Sequence, residues 1–218
     1  MRSQRIQGRG LAAMVGGVLW LGLVTLGIVH DFWASAIGVL TYENYNRLLT
    51  VPLLLFVVGW FGVRASLVHR PGRLGRASAV IVLIGLLLLL AGNVLEFWLV
   101  VFQSRYVPFR LGGPDSWPGA MIGWGLFLLG CPVVPMGLVL FGLAALRAKL
   151  LPRWNAAPLI IGLLSAFGPA LAAVGSRWGT SFEQGFACFM LSLGLGWIVL
   201  GYILWSGKTA TARPGSGA

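Results

Sequence analysis

The sequence predicts an all-α, polytopic integral membrane protein, a bundle of six transmembrane helices. Three observations carry that prediction. Apolar residues make up 58% of the 218-residue chain and charged residues only 10%, whereas a soluble domain needs roughly a quarter of its residues charged to cover its surface. The apolar residues collect into six runs of 18 residues or more, near the length of about 20 that crosses a bilayer as a helix. The basic residues fall between those runs or near their ends, and unevenly. This pattern excludes a soluble enzyme, a disordered chain and a disulfide scaffold. It also excludes a nucleic-acid-binding module, despite the formal charge of +11, because the charges punctuate apolar runs instead of clustering on one exposed element.

Residues 1–10 form a basic N-terminus with Arg2, Arg5 and Arg9. Residues 11–206 form a single transmembrane domain, and 207–218 a small, polar, mobile tail. The first span is Leu11–Val29. Gly16, Trp20, Gly27, His30 and Asp31 share one of its faces at 100° per residue, and Ala12/Gly16 and Ala13/Gly17 are spaced for close helix contact. Ala34-Ser35-Ala36 has the form of a signal-peptidase site, but the apolar run of 19 residues before it exceeds a usual signal-peptide core. The second span is Val51–Val68. Pro52 lies near its start, where the missing N–H is spare.

The third span, Ser78–Phe102, places Gly85, Leu89, Gly92, Asn93 and Glu96 on one arc and Leu, Val, Phe and Trp opposite, so Glu96 should turn into the bundle. The fourth, Gly119–Leu146, has a stripe of Gly119, Gly123, Gly130 and Gly137, with kinks expected at Pro132 and Pro135. The fifth, Ala157–Val174, has Pro169 as a third kink site. The sixth, Phe186–Trp205, follows a small-residue stripe through Gly185, Ser192 and Gly196.

Six spans put both termini on one side. That side carries twelve basic residues: Arg2, Arg5, Arg9, Arg64, Arg70, Arg73, Arg76, Arg147, Lys149, Arg153, Lys208 and Arg213. The other carries four: Arg47, Arg105, Arg110 and Arg177. The positive-inside rule makes the first side cytoplasmic. The acids agree, since Asp31, Glu43, Asp115 and Glu183 fall in outer connections and Glu96 in the outer part of span three. Arg greatly exceeds Lys among the basic residues and Ala, Gly, Leu and Val abound, a usage typical of a GC-rich bacterial genome. The expected location is therefore the cell (inner) membrane, multi-pass. The outer links Asp31–Arg47 and Gln103–Pro118 are rich in Trp, Tyr and Phe and read as interfacial caps, ordered at headgroup level.

No motif supports catalysis. There is no His-Glu-x-x-His helix, no nucleophile elbow and no phosphate-binding glycine loop. His30 and His69 belong to opposite sides, so they cannot jointly ligate a haem. Cys131 and Cys188 fit no metal spacing, and their depths on different spans disfavour a disulfide. No catalytic residue, metal or cofactor is expected, and nothing in the pattern is specific enough to indicate a known family.

Asn93 and Glu96 carry the sharpest signal. A carboxylate at mid-helix costs roughly 2.5–3.5 kcal/mol on insertion scales. Asn93, three residues back on the same face, could donate a hydrogen bond to it. Two readings follow. Either Glu96 is held by an ion pair to an outer Arg, with Arg47, Arg105 and Arg177 as candidates, or it is a proton, cation or ligand site. His30 and Asp31 give a second signal, either a pH-sensing relay toward Glu96 or a helix end with His at the negative pole of the dipole. The expected function is that of a non-catalytic membrane subunit or an assembly or interaction protein, in contact with lipids and a membrane-protein partner and with no nucleic acid. The alternative is a small-solute binding or transport protein with an outward-facing site near Glu96.

Overall fold

In a computed structural model of the chain, residues 2–30, 42–66, 72–99, 118–148, 154–174 and 182–206 are described. They form α1 (Arg2–His30), α2 (Tyr42–Ser66), α3 (Arg73–Val94), α4 (Pro118–Ala148), α5 (Ala157–Val174) and α6 (Phe182–Trp205). A single π-helical turn, Leu95–Leu99, continues α3. Five of the six helices hold stretches long and apolar enough to cross a membrane: Gln4–Val29, Asn44–Ser66, Arg73–Leu99, Met121–Ala148 and Gly185–Trp205. The apolar part of α5, Ala157–Gly168, is shorter.

Except for α5, the helices start before the apolar runs read from the sequence, α3 at Arg73 and α6 at Phe182, and the difference is largest in α1 and α2. α1 starts at Arg2, ahead of the apolar run at Leu11, because Arg, Gln and Ile are competent helix formers and only Gly8 and Gly10 interrupt them. α2 starts at Tyr42 and not near Val51. Hydropathy marks where the chain becomes apolar, whereas backbone hydrogen bonding carries the helix on through the polar turns Asn44–Arg47. Two consequences follow. Arg47 sits on a helix and not in a link, and Pro52 lies inside the helix, not in its first turn. Its ring therefore removes an interior hydrogen bond to the Leu48 carbonyl. Pro132 and Pro135 both fall within the continuous α4, and Pro169 within α5. The cleavage-like Ala34-Ser35-Ala36, the outer-link residues 103–117 and the tail 207–218 lie outside the described residues.

The helices pack in chain order, each on the next, and α6 returns to α1. Every neighbouring pair is antiparallel. One end of the molecule, termed upper, gathers the end of α1, the start of α2 and the end of α3; the lower end gathers Arg2, Ser66, Arg73, Ala148 and Trp205.

Glycines at seven-residue spacing build two of the seams. A Cβ at Gly92 would lie 2.6 Å from both the Gly123 carbonyl oxygen and the Phe127 nitrogen on α4, and one at Gly130 would lie 2.7 Å from Leu89 on α3. Gly85 and Gly137 meet Val134 and Val82 in the same way. Backbones this close admit nothing larger than glycine. The α1–α6 seam repeats the device, Gly10 and Gly17 facing Gly201 and Gly194. A seven-residue repeat keeps such contacts on one seam along a left-handed crossing.

The stripe read on α6 also finds its partner. Gly185, Ser192 and Gly196 face Gly168, Ser165 and Ile161 of α5, with the Ser192 hydroxyl donating to Phe189 O (2.9 Å) and 3.3 Å from the Ser165 hydroxyl.

Aromatic side chains fill the interior. Phe56 stacks on Trp197 (4.9 Å between centroids, 11° between planes), and Trp60 meets both Trp197 and Phe141 edge-on. All four rings are at most 1% exposed. The indoles of Trp20 and Trp60 donate to Met190 O (2.7 Å) and Ala79 O (2.8 Å), as buried indoles ordinarily do. Among the described residues Trp197 Nε1 is buried without an acceptor. Cys131 is buried and Cys188 exposed, and both are free thiols.

Candidate functional site

The polar side chains that are buried in the upper half converge where α2 meets the end of α3. Asn93 lies on the last turn of α3 and is 1% exposed. Its carbonyl oxygen accepts from the Thr50 hydroxyl at 2.7 Å, and its amide nitrogen donates to Asn46 O at 3.0 Å. The Thr50 hydroxyl in turn accepts from Trp98 Nε1 at 2.9 Å. One asparagine thus binds both a side chain and a main-chain carbonyl of α2, and each of these groups is satisfied without water.

The polar residues of α2 are arranged for this. Asn46 and Thr50 are one turn apart, and Arg47 stands beside them. Arg47 Nε donates to Phe97 O at 2.9 Å, one guanidinium nitrogen donates to Asn44 Oδ1 at 3.1 Å, and the guanidinium carbon lies 5.8 Å from the centre of the Trp98 ring. Phe97 belongs to the π turn at the C-terminal end of α3, where carbonyls lack helical partners and attract a cation. Arg47 caps that end.

Glu96 sits differently. It is the second residue of the π turn and is 3% exposed, so the arc read from the sequence does turn it inward. It leaves α3 on the side of α4: a Cβ at Gly123 would lie 2.9 Å from the Glu96 Cβ and backbone nitrogen. Two expectations about its partners are corrected. Asn93 does not donate to Glu96; its amide nitrogen donates to Asn46 O and its carbonyl oxygen accepts from the Thr50 hydroxyl, both across the contact with α2. Arg47 does not pair with Glu96; its guanidinium is drawn to the helix-end carbonyl and to Asn44. Among the described residues Glu96 has no hydrogen bond and no ion pair. Arg105, Arg177 and Asp31 lie outside the described residues, as does the side chain of His30, the last residue of α1.

The site therefore divides along α3, a satisfied polar face toward α2 and, on the α4 side, a glutamate with no partner among the described residues. Thr50 and the hydrogen-bonding role of Trp98 were not read from the sequence. The available signal was the spacing of Asn46, Arg47 and Thr50 on one helical face, which becomes visible only once α2 is extended back to Tyr42. No group of three or more His, Cys, Asp or Glu residues capable of holding a metal occurs among the described residues. No family model, curated protein or solved structure matches the chain.

Proposed function

We propose that this chain is a six-span protein of the cell (inner) membrane with both termini cytoplasmic, acting as a non-catalytic membrane subunit or an assembly or interaction protein. The observation that carries the reading is the filled interior. Phe56, Trp60, Phe141 and Trp197 occupy the space between the helices, so what the protein offers a partner is its outward apolar surface.

The six-span count draws on α5. At 1.5 Å per residue its 18 residues reach about 27 Å, close to the roughly 30 Å of hydrocarbon. It is also held between α4 and α6. Bends at Pro132, Pro135 and Pro169 would adjust its fit and that of α4. The orientation draws on charge: Arg5, Arg9, Arg64, Arg73, Arg76 and Arg147 all belong to lower helix ends, which the positive-inside rule assigns to the cytoplasm.

Photo-crosslinkers at the lipid-facing positions Val18, Phe61, Ile160 and Leu195 of the full chain, in native membranes, test the reading. Adducts of one discrete mass, confined to one helix face, are expected. Lipid adducts on every face, together with solute flux through the reconstituted protein, would overturn it.

One observation favours a second reading, a small-solute binding or transport protein with an upper-side site near Glu96. That observation is the burial of Glu96 without a partner among the described residues.

A further inference from the structure

We propose that Glu96 is a proton-exchanging carboxyl, taking up and releasing a proton through the upper end of the α3–α4 seam. The inference rests on the second reading only for the location of the site, not for transport of any solute.

Three observations support it. First, every other polar side chain at this end of α3 is satisfied: Asn93 by Thr50 and Asn46, and Trp98 by Thr50. Glu96 alone, among these, has no donor and no counter-charge in the described structure. A buried carboxylate left unpaired costs several kcal/mol, and a bound proton removes that cost without a protein partner. Second, the carboxyl has been given its place by an unusual backbone. Among the described residues only Leu95–Leu99 departs from α-helix to π-helix, and the departure begins one residue before Glu96. Such turns are uncommon and recur where a side chain must be re-aimed for use. Third, the route is short. Glu96 is three residues before Leu99, which is 56% exposed at the upper end, and its Cβ and backbone nitrogen lie against Gly123 of α4, which presents no side chain there.

The ionisable neighbours are few. On α2, whose start packs against the π turn, the ionisable residues are Tyr42, Glu43, Tyr45 and Arg47, and Tyr45 directs its hydroxyl to Gly27 of α1. Arg47 is committed to Phe97 O and Asn44. The facing stretch of α4, 121–130, has no ionisable residue, and neither does α3 from Gly85 to Leu99 apart from Glu96 itself.

Infrared difference spectroscopy of the full chain in lipid vesicles, recorded across pH, tests this directly. The wild type should show a carbonyl band of a protonated carboxylic acid that is lost as pH rises. Glu96→Gln should lack the band, and Glu96→Asp should restore it at a shifted position, which keeps the test valid if the Gln variant folds poorly. The amide variants of Asp31, Glu43, Asp115 and Glu183 should retain it. Absence of the band from folded wild type at every pH would show an ionised, paired Glu96 and overturn the proposal. A band that survives unchanged across the whole range would show a static acid and overturn it equally. A titrating band without solute flux fails the second reading alone; flux without the band fails this inference alone.

Discussion

At the scale of single residues the chain separates polar groups that hold helices together from one that does not. Thr50 is the hub, since its hydroxyl both donates to Asn93 and accepts from Trp98. Thr50→Val keeps the shape and strands both partners. It should lower stability by about 1–2 kcal/mol, at the upper end of what interhelical hydrogen bonds in membranes contribute, measured by unfolding in mixed detergent. Glu96→Gln should behave oppositely. With no ion pair to break among the described residues, it should change stability by less than about 1 kcal/mol, against the roughly 3–5 kcal/mol lost when a buried pair is broken. A larger loss, shared and coupled with an Arg→Gln variant at Arg105 or Arg177, would mean that an arginine reaches the carboxyl. The tryptophans allow a comparison of like with like. Trp20→Phe removes a hydrogen bond to Met190 O that Trp197→Phe does not. Both delete a similar ring from the same core, so thermal unfolding should show Trp20→Phe the more costly by about 1 kcal/mol.

At the scale of helices, close approach of backbones sets what the sequence can tolerate. Gly92→Ala puts a methyl against the main chain of Gly123 and Phe127, atoms that no rotamer change can move. It should separate α3 from α4 and lower the folded fraction severely in a detergent unfolding assay. Gly125→Ala, two residues from Gly123 with nothing within 4 Å of its added Cβ, should be neutral or stabilise slightly, as alanine is the better helix former. Equal behaviour of the two variants would contradict the seam. Much of this was legible in advance, because helical periodicity is a local property: the bounds of α5, the inward arc ending at Glu96 and the glycine stripe through Gly123, Gly130 and Gly137 all follow from spacing. What spacing could not supply was the partner. Asn93 and Glu96 share a face, so the sequence suggests that they bond to each other. Only the position of α2 against α3 reveals that Asn46 and Thr50 claim the amide first. The early start of α2 was hidden for a related reason, because Asn44, Asn46 and Arg47 are too polar for a hydropathy run yet suited to a helix whose polar side chains reach the end of a neighbour.

At the scale of the molecule, the antiparallel order of the helices makes one orientation measurement decisive for all of them. Reporter fusions at Ala218 and near Gly112 should report opposite sides, with Ala218 cytoplasmic; an external signal at Ala218 would invert the proposed topology. The return of α6 to α1 has a further consequence, for how the protein is made. Trp20 and its acceptor Met190 are 170 residues apart. At elongation rates of about 5–20 residues per second, α1 leaves the ribosome on the order of ten seconds before its partner exists. Over that interval Gly10, Gly17 and the Trp20 indole face lipid or the insertion machinery with their final contacts unmade. Nascent chains arrested before α6 should accordingly be the species that membrane chaperones hold and membrane proteases clear, and release from both should coincide with synthesis of the segment that carries Gly194 and Gly201.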